Sequence, residues 1–573
     1  MPYPSTQQLK DLRWLLEQLQ NAEDYCRPYF DRAKRHYKLY RFGSAVDGDD
    51  WPYVNRVRSR DILAFIEDST AMLVQTLFAT MPFFSIIPRQ TDAFMRQTQG
   101  LDPLLIGRQL ERAPDYQIVH EETEFFEEMV DYFKGGTMLG NSYMGVYPKF
   151  ANGKYLRPLL KTSDFWDILP VSGARRVSKA RGIFVREFHT LEDLKRDTTQ
   201  AGYENIEQIK APISSSSDSE MDWHKLLLQE VGMTNWDADD KEIEILHYFS
   251  GGDVITFADR KVIIRDTRKK ATPYPYSMPI VQYKYMPVPL EFFAMGIPEV
   301  LEVLQEDKNL VRSARRDNID LVINKIVKAR SGADINFNMI KYYPGAIWPL
   351  ENLTDLEELE QKDVTQSSYV EEGLIQKDME NALSLFGYAR GMTPEHSEQP
   401  TTVMKLQQAS LNRLDLSIKL AEFTTLQNIA TRVILLTRKY MDQGDYEAII
   451  GEKDAGFYQI DEEAIRRFYY VRPVGSSVTN IKELRQAQIQ FAIESLAKIP
   501  PEMMANNMEP FQVNWYEAIR TALETSDLKN IDRILVKMQQ QQQQGPMGMG
   551  GMPPMMPMAE ELTALGGVGY GGM

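Results

Sequence analysis

MPVPLEFFAMGIPEVLEVLQEDKNLVRSARRDN, residues 286–318, sets three prolines and an aromatic pair directly before a long helical pattern. Pro298 falls where a first-turn proline is tolerated, because the N–H it lacks is one the helix leaves unpaired anyway. Beyond it Val300, Leu304, Val311, Ala314, Leu321 and Val322 form an apolar stripe, predicting a helix from about Pro298 to Lys328. No catalytic group stands on that helix. Its flanks carry Glu306, Asp307, Arg312, Arg315 and Arg316, charges of both signs. After it come a β-like insert, GADINFNMIKYYPGAIWPL (332–350), turning at Pro344-Gly345, and a shorter helix over about 368–387.

Outward from this stretch the chain alternates helices and strands. On the amino-terminal side, leucines at three–four spacing predict a helix over 6–40, and an apolar helix over 60–81 leads into the strand FFSIIP (83–88). A helix over 116–140 should carry Phe125, Phe126, Met129 and Phe133 on one side. Strand-like runs follow: GNSYMGVYPKF, the DILP stretch and RGIFVREFHT. After a Ser-rich loop at 211–223, residues 243–266 read as a β-meander turning at Gly251-Gly252 and at ADRK, and 273–292 read as extended. On the carboxyl side, YARGMTPEHSEQPTT (388–402) has no periodicity. A long helix of about 402–441 is broken in phase at Thr425, and 442–475 mix turns and strands. Helices are expected over 480–540, before a Gln run and a Gly/Met/Pro tail too poor in core residues to fold alone.

The 573 residues carry a formal charge of −16, which argues against a cationic nucleic-acid binder; any contact with DNA must be local. The one cysteine, Cys26, excludes an internal disulfide and a four-cysteine zinc site, and fits a reducing compartment. No secretory signal is visible. The uncharged run 71–88 is split by Pro82 and reads as a buried helix followed by a strand, so no membrane partner is expected.

A search for chemistry finds no phosphate-binding Gly-Lys-Ser/Thr loop, no H-E-x-x-H and no G-x-S-x-G; the six histidines are scattered in sequence. HEETEFFEE (120–128) clusters carboxylates that could hold a cation, although a solvated helix face explains them as well. Neither a reaction nor a cofactor is expected.

Four segments taken in order carry a resemblance: FFSIIP after an apolar helix; DFWDILPVSGARRVSKARGIFVREFHTLEDL (164–194); the run from Pro279 to Leu321; and the Pro-Gly turn in MIKYYPGAIWPL. Over about residues 50–440 they resemble the portal, or head-to-tail connector, proteins of tailed bacteriophages. The resemblance implies an α+β, mostly helical portal fold assembled as a ring, in which Glu306, Asp307, Arg312, Arg315 and Arg316 could pair between neighbouring copies. It maps residues 1–292 and the return strands of 442–479 to a wing, 293–328 and 368–387 to stem helices, and 329–367 to a clip. Residues 388–402 become a tunnel loop, 403–441 a long wing helix, 480–540 a helical crown and 541–573 a tail outside the general pattern.

It further implies a dodecamer at one capsid vertex, in the virion and, during assembly, in the host cytoplasm. Double-stranded DNA would pass through it in packaging and ejection. Large terminase and then a head–tail adaptor would dock on the clip, at Tyr342, Tyr343, Pro344, Gly345 and Trp348, and the major capsid and scaffolding proteins would be further partners. Arg390, Thr393, Glu395, His396, Ser397, Glu398 and Gln399 would face DNA from the tunnel loop. A mostly negative lumen keeps the duplex off the wall over roughly 8 Å. Lys325, Lys328 and Arg330, at the end of the first stem helix, could form a centring basic ring; a favourable interaction with the helix dipole explains them equally well. Two other classes remain open: a capsid-associated scaffold or adaptor without a channel, and a metal-dependent hydrolase using the 121–128 carboxylates.

Overall fold

The computed structural model describes residues 6–45, 52–78, 83–89, 103–120, 124–209 (without 152 and 172), 242–324 (without 270 and 271), 326–331, 347, 356–359, 365–383, 412–450 and 462–473. All lie within one compact unit, Met1–Val478. The Ser-rich loop, the 388–402 segment, the helices expected over 480–540 and the tail fall outside the described residues.

Helix α1 (Thr6–Phe42) buries Leu15, Leu19, Ala22, Cys26, Phe30 and Ala33, a stripe at three–four spacing that requires one partner surface. That surface is the five-stranded antiparallel sheet β4 (Ile168–Pro170), β5 (Ile183–Thr190), β6 (Glu242–Ser250), β7 (Asp253–Ala258) and β8 (Val262–Asp266), ordered as in the sequence. The expected meander forms with the expected turns. Gly251 and Gly252 take φ of 62° and 103°, while Asp259 and Arg260 turn the next hairpin at 48° and 53° without a glycine.

A second core gathers α2 (Asp61–Leu77), α3 (Pro103–Asp115), α4 (Phe125–Leu139) and the sheet of β3 (Lys154–Ser163), β2 (Asn141–Ala151) and β9 (Ile280–Lys284). The helix predicted over 116–140 proves to be two pieces. A π turn at Tyr116–His120 continues α3, which the sequence pattern did not reveal, and α4 begins only at Phe125. Phe125, Met129 and Phe133 are buried, but Phe126 points outward, 55% exposed. A short helix, α5 (Leu191–Ala201), is capped by the Thr190 side chain, which accepts from the Asp193 N–H.

The carboxyl-terminal described part closes this core. Helix α8 (Asn412–Leu420) passes through a π segment, Ala421–Leu426, into α9 (Gln427–Tyr440). The π segment sits where the apolar phase breaks: its wider turn keeps Ala421, Thr425 and Leu426 buried alongside Ile418 and Ile429. Residues 443–450 and 462–468, expected as turns and strands, form helices α10 (Gln443–Ile450) and α11 (Glu462–Phe468). The strand β12 (Tyr469–Pro473) then pairs antiparallel with β1 (Phe84–Pro88), joining positions nearly 400 residues apart.

Candidate functional site

Residues 286–318 lead into α6 (Ile297–Ile323), which packs with α7 (Thr365–Leu383) to form an arm of two helices. The chain reaches it from β9. Only Ile280–Lys284 of the region read as extended is a strand; residues 286–295 fold back on themselves, with Met295 N donating to Met286 O (2.9 Å) and Leu290 at a φ of 73°. Phe292 and Phe293 turn inward. Gly140, at a φ of 82°, and Gly296 let this loop lie directly on the end of α4. A Cβ on the first would collide with Ala294 O, and one on the second with Met138 O. The start of α6 is thereby fixed to the second core.

The face that α6 buries differs from the predicted stripe. Val300, Leu304, Val311, Ala314 and Val322 are only partly buried and Leu321 is exposed, whereas Leu301, Gln305, Lys308, Asn309 and Ser313 are buried. Most of this face is polar because it satisfies a segment, residues 52–60, that belongs to no sheet. Gln305 Nε2 donates to Ser59 O (2.8 Å), and Asn309 Oδ1 accepts from Ser59 N (2.8 Å). Ser313 Oγ accepts from Val57 N (3.0 Å), and Asp317 accepts from Asn55 N and Val54 N (2.8 and 2.9 Å).

Those four side chains are spaced by four residues, about 6 Å along a helix, close to the ~6.6 Å of two extended residues. The match lets a helix stand in for a missing strand. At one end Asn309 Nδ2 donates to Gly43 O (2.7 Å) and Glu306 accepts from Ala45 N (2.7 Å). Burial pushes the Asp317 carboxyl up, but the Asn55 backbone and amide donors, with Val54 N–H, outweigh it and hold it below the ordinary value.

Helix α7 docks on the adjacent side of α6 through Ile375, Met379 and Leu383. Buried Lys308 bridges Asp61 at the start of α2 (2.8 Å) and Gln376 of α7 (2.7 Å). Glu372 pairs with both Arg312 (2.9 Å) and Arg315 (2.6 Å), and the Arg315 guanidinium lies 4.1 Å from the Tyr369 ring centroid. The charges expected to pair between copies are therefore largely matched within the chain: Arg316 lies 3.7 Å from Asp320, and Glu306 serves the 43–45 turn. Composition and apolar periodicity do not single out Gln305, Asn309, Ser313 and Asp317 for these roles. Their i, i+4, i+8, i+12 spacing is the one signal that could have raised the question.

At its far end α6 stops at Ile323, five residues before the expected boundary; α7 covers Thr365–Leu383, and residues 384–387 of the helix expected over 368–387 lie outside the described residues. Lys328 lies on β10 (Val327–Ala329), which pairs antiparallel with β11 (Leu356–Glu358) and sets Lys328 opposite Glu357. Arg330 follows that strand; Lys325 is outside the described residues. So are the candidate docking residues Tyr342, Tyr343, Pro344, Gly345 and Trp348, and the candidate DNA-facing residues Arg390, Thr393, Glu395, His396, Ser397, Glu398 and Gln399.

Elsewhere two of the histidines scattered in sequence converge. His189 and His247 lie 3.1 and 3.5 Å from one carboxylate, Glu187, across the β5–β6 pairing. Burial raises the Glu187 carboxyl, but hydrogen bonds from both histidines outweigh it, leaving it well below its ordinary value. Of the 121–128 cluster, Glu128 is committed to Thr162 N (2.6 Å). Among the described residues no group of three or more His, Cys, Asp or Glu is placed to hold a metal ion. The Cys26 thiol is buried, and burial pushes its pKa up, away from the nucleophilic thiolate.

Residues 154–561 match the family model described as the phage SU10 portal protein, which takes in well over half of the chain. The chain belongs to this portal family. No individual curated protein matches it. The match extends the resemblance beyond residue 440, through the Gln run and into the Gly/Met-rich tail, while FFSIIP lies outside the matched residues. The tail to residue 561 is thus part of a portal pattern and not a departure from one. Membership places the portal protein in the virion capsid and associates it in general terms with an oligomeric ring, capsid and terminase. Among the described residues no helix is long and apolar enough to cross a membrane.

Proposed function

We propose that this portal protein forms a dodecameric ring at one capsid vertex, through which double-stranded DNA is packaged and later ejected. Large terminase docks on it first and a head–tail adaptor afterwards, and the ring itself catalyses no reaction. The observation that carries the proposal is a two-helix arm, α6 and α7, in a chain that belongs to a portal family. A conduit must hold its wall still while a partner motor moves the duplex. The arm has the construction for that: one helix is tied along four turns to the 52–60 strap, and the other is ion-paired to it.

In this assignment α6 and α7 are the stem, and the β10–β11 ribbon opens the clip that carries Tyr342, Tyr343, Pro344, Gly345 and Trp348. The 388–402 loop, with Arg390 and His396, faces DNA. Lys328 and Arg330 gain weight as channel cations, because the helix-dipole explanation acts only within the last turn and α6 has already ended at Ile323. The negative balance of the chain keeps phosphates from being gripped.

End-on averages from electron microscopy of the purified full-length chain test the assignment. Rings with a central hole wide enough for duplex DNA and symmetry near twelvefold are expected. Compact monomers or dimers in assembly-permissive salt would overturn it.

A further inference from the structure

The outer surface of the arm carries a groove and a ridge. The groove, about 420 Å³, has Leu310, Val311 and Ala314 of α6 as its floor, Tyr53 of the strap on one side, and Thr365 and Glu371 of α7 on the other. The ridge is Val370 and Leu374, which are 65% and 52% exposed. Val370 precedes Met379 by nine residues, so at about 100° per residue it points directly away from the face that α7 packs on α6. Gly373 lies between these ridge residues. A Cβ there would meet nothing within 4 Å, so no contact among the described residues requires a glycine that weakens the helix. A helix whose apolar side is bare and whose flank is cut down to hydrogen is shaped for close approach by something outside the chain.

We infer that the Val370–Leu374 ridge of one copy seats in the Leu310–Ala314 groove of the next, with Gly373 allowing the two arms to close. This rests on the ring reading, in which each contact is head-to-tail and joins two different patches of the same chain. Charge supports this occupant. Arg312 and Arg315 share Glu372 of their own chain and Glu371 lines the same groove, so two carboxylates offset two guanidiniums and the contact buries apolar surface without stranding a cation. Arg315 Nη1 and Asn318 Oδ1, buried at the groove and without hydrogen-bond partners among the described residues, offer one donor and one acceptor. The exposed side-chain amide of Gln366, one turn before Val370, carries the complementary pair. The contact between copies is accordingly apolar, and assembly holds in high salt.

Cysteine pairing tests this in the full-length chain, whose single native cysteine is buried. Ala314→Cys and Leu374→Cys are made separately and each is oxidised alone and after mixing. A disulfide-linked dimer in the mixture, at least about tenfold above either variant alone, is expected. Gly373→Leu should cut ring yield by a similar factor without lowering the melting temperature of the unassembled chain, since leucine favours the helix. Dimer formation by Leu374→Cys alone would mean ridge on ridge and overturn the proposal. An unlinked mixture, or full ring yield from Gly373→Leu, in a preparation whose wild type shows rings overturns this contact but leaves the ring intact. A wild type without rings overturns both.

Discussion

Two helices of this protein bury polar surface, and they do so for opposite reasons. Helix α1 lies on a sheet whose backbone groups are already paired strand to strand, and what it buries there is charge. Glu23 and Glu244 hold Arg186 and Arg260 in a closed square: Arg186 Nη2 donates to Glu23 (2.7 Å), and Arg260 donates to Glu244 and Glu23 (both 2.8 Å). Arg186 Nε completes it as an ion pair 3.0 Å from Glu244, close but not aligned as a hydrogen bond. Helix α6 faces a strap without strand partners, and what it buries is backbone. Amides, a hydroxyl and one carboxylate suffice there, because an N–H needs an acceptor and not a counter-charge. A polar residue on a buried helix face therefore says little until the hydrogen-bonding state of the opposing element is known.

The contrast breaks if the two seams respond alike to deletion. Arg186→Met should be the more damaging, leaving two buried carboxylates with one arginine between them; a loss of about 3–5 kcal/mol is expected in urea unfolding. A loss under ~1 kcal/mol would mean the square is not a matched unit. Asn309→Leu should cost about 2–4 kcal/mol by orphaning Gly43 O and Ser59 N, both with short bonds to this side chain. Its signature is local as well: proteolysis should begin between residues 43 and 60, whereas Arg186→Met should open the sheet. Cleavage elsewhere would show that the strap is held by other contacts.

The seams meet where α1 crosses α6. Arg32 pairs with Glu299, Arg35 with Glu302 (3.3 Å), and buried His36 sits between, its Nε2 3.9 Å from Glu302. Burial, with the Arg32 and Arg35 cations adding to it, pushes His36 down to about 3 from an ordinary 6.5. Its folded form therefore stays neutral while the unfolded chain takes up a proton below pH 6.5. The stability it contributes is complete above that value and lost as pH falls toward 3, at up to about 1.4 kcal/mol per pH unit for one proton. Unfolding followed from pH 7 to 4 should be flatter in His36→Gln than in the wild type. Parallel curves would remove His36 as the acid-sensitive group.

Much of this was legible in the sequence, and the limits have physical causes. The β-meander, α1 and the phase break at Thr425 are local patterns and came through. The arm helices were found because proline and periodicity mark them, but their polar seam was not, because which face is buried depended on a strap 250 residues away. The same holds for His189 and His247, brought together only by strand pairing. The α6 end at 323 moved for want of a strong stop signal: neither a glycine nor a proline follows at the capping position. The residues named for DNA and for docking rest on the resemblance alone.

The smallest effect sharpens the comparison most. Glu372, 19% exposed, serves Arg312 and Arg315, whose side chains are 35% and 11% exposed, against 2% for Arg186 and 5% for Glu23 in the square at α1. It is a charge contact like the one at α1, in a setting where water competes. Glu372→Gln should therefore cost only about 0.5–1 kcal/mol, and less in 1 M salt, because partly exposed pairs gain little and are screened. If the loss reached the ~3 kcal/mol expected at Arg186, the α6–α7 seam would have to be counted as a buried ionic one. The distinction between a helix that buries charge and one that buries backbone would then fail within a single arm.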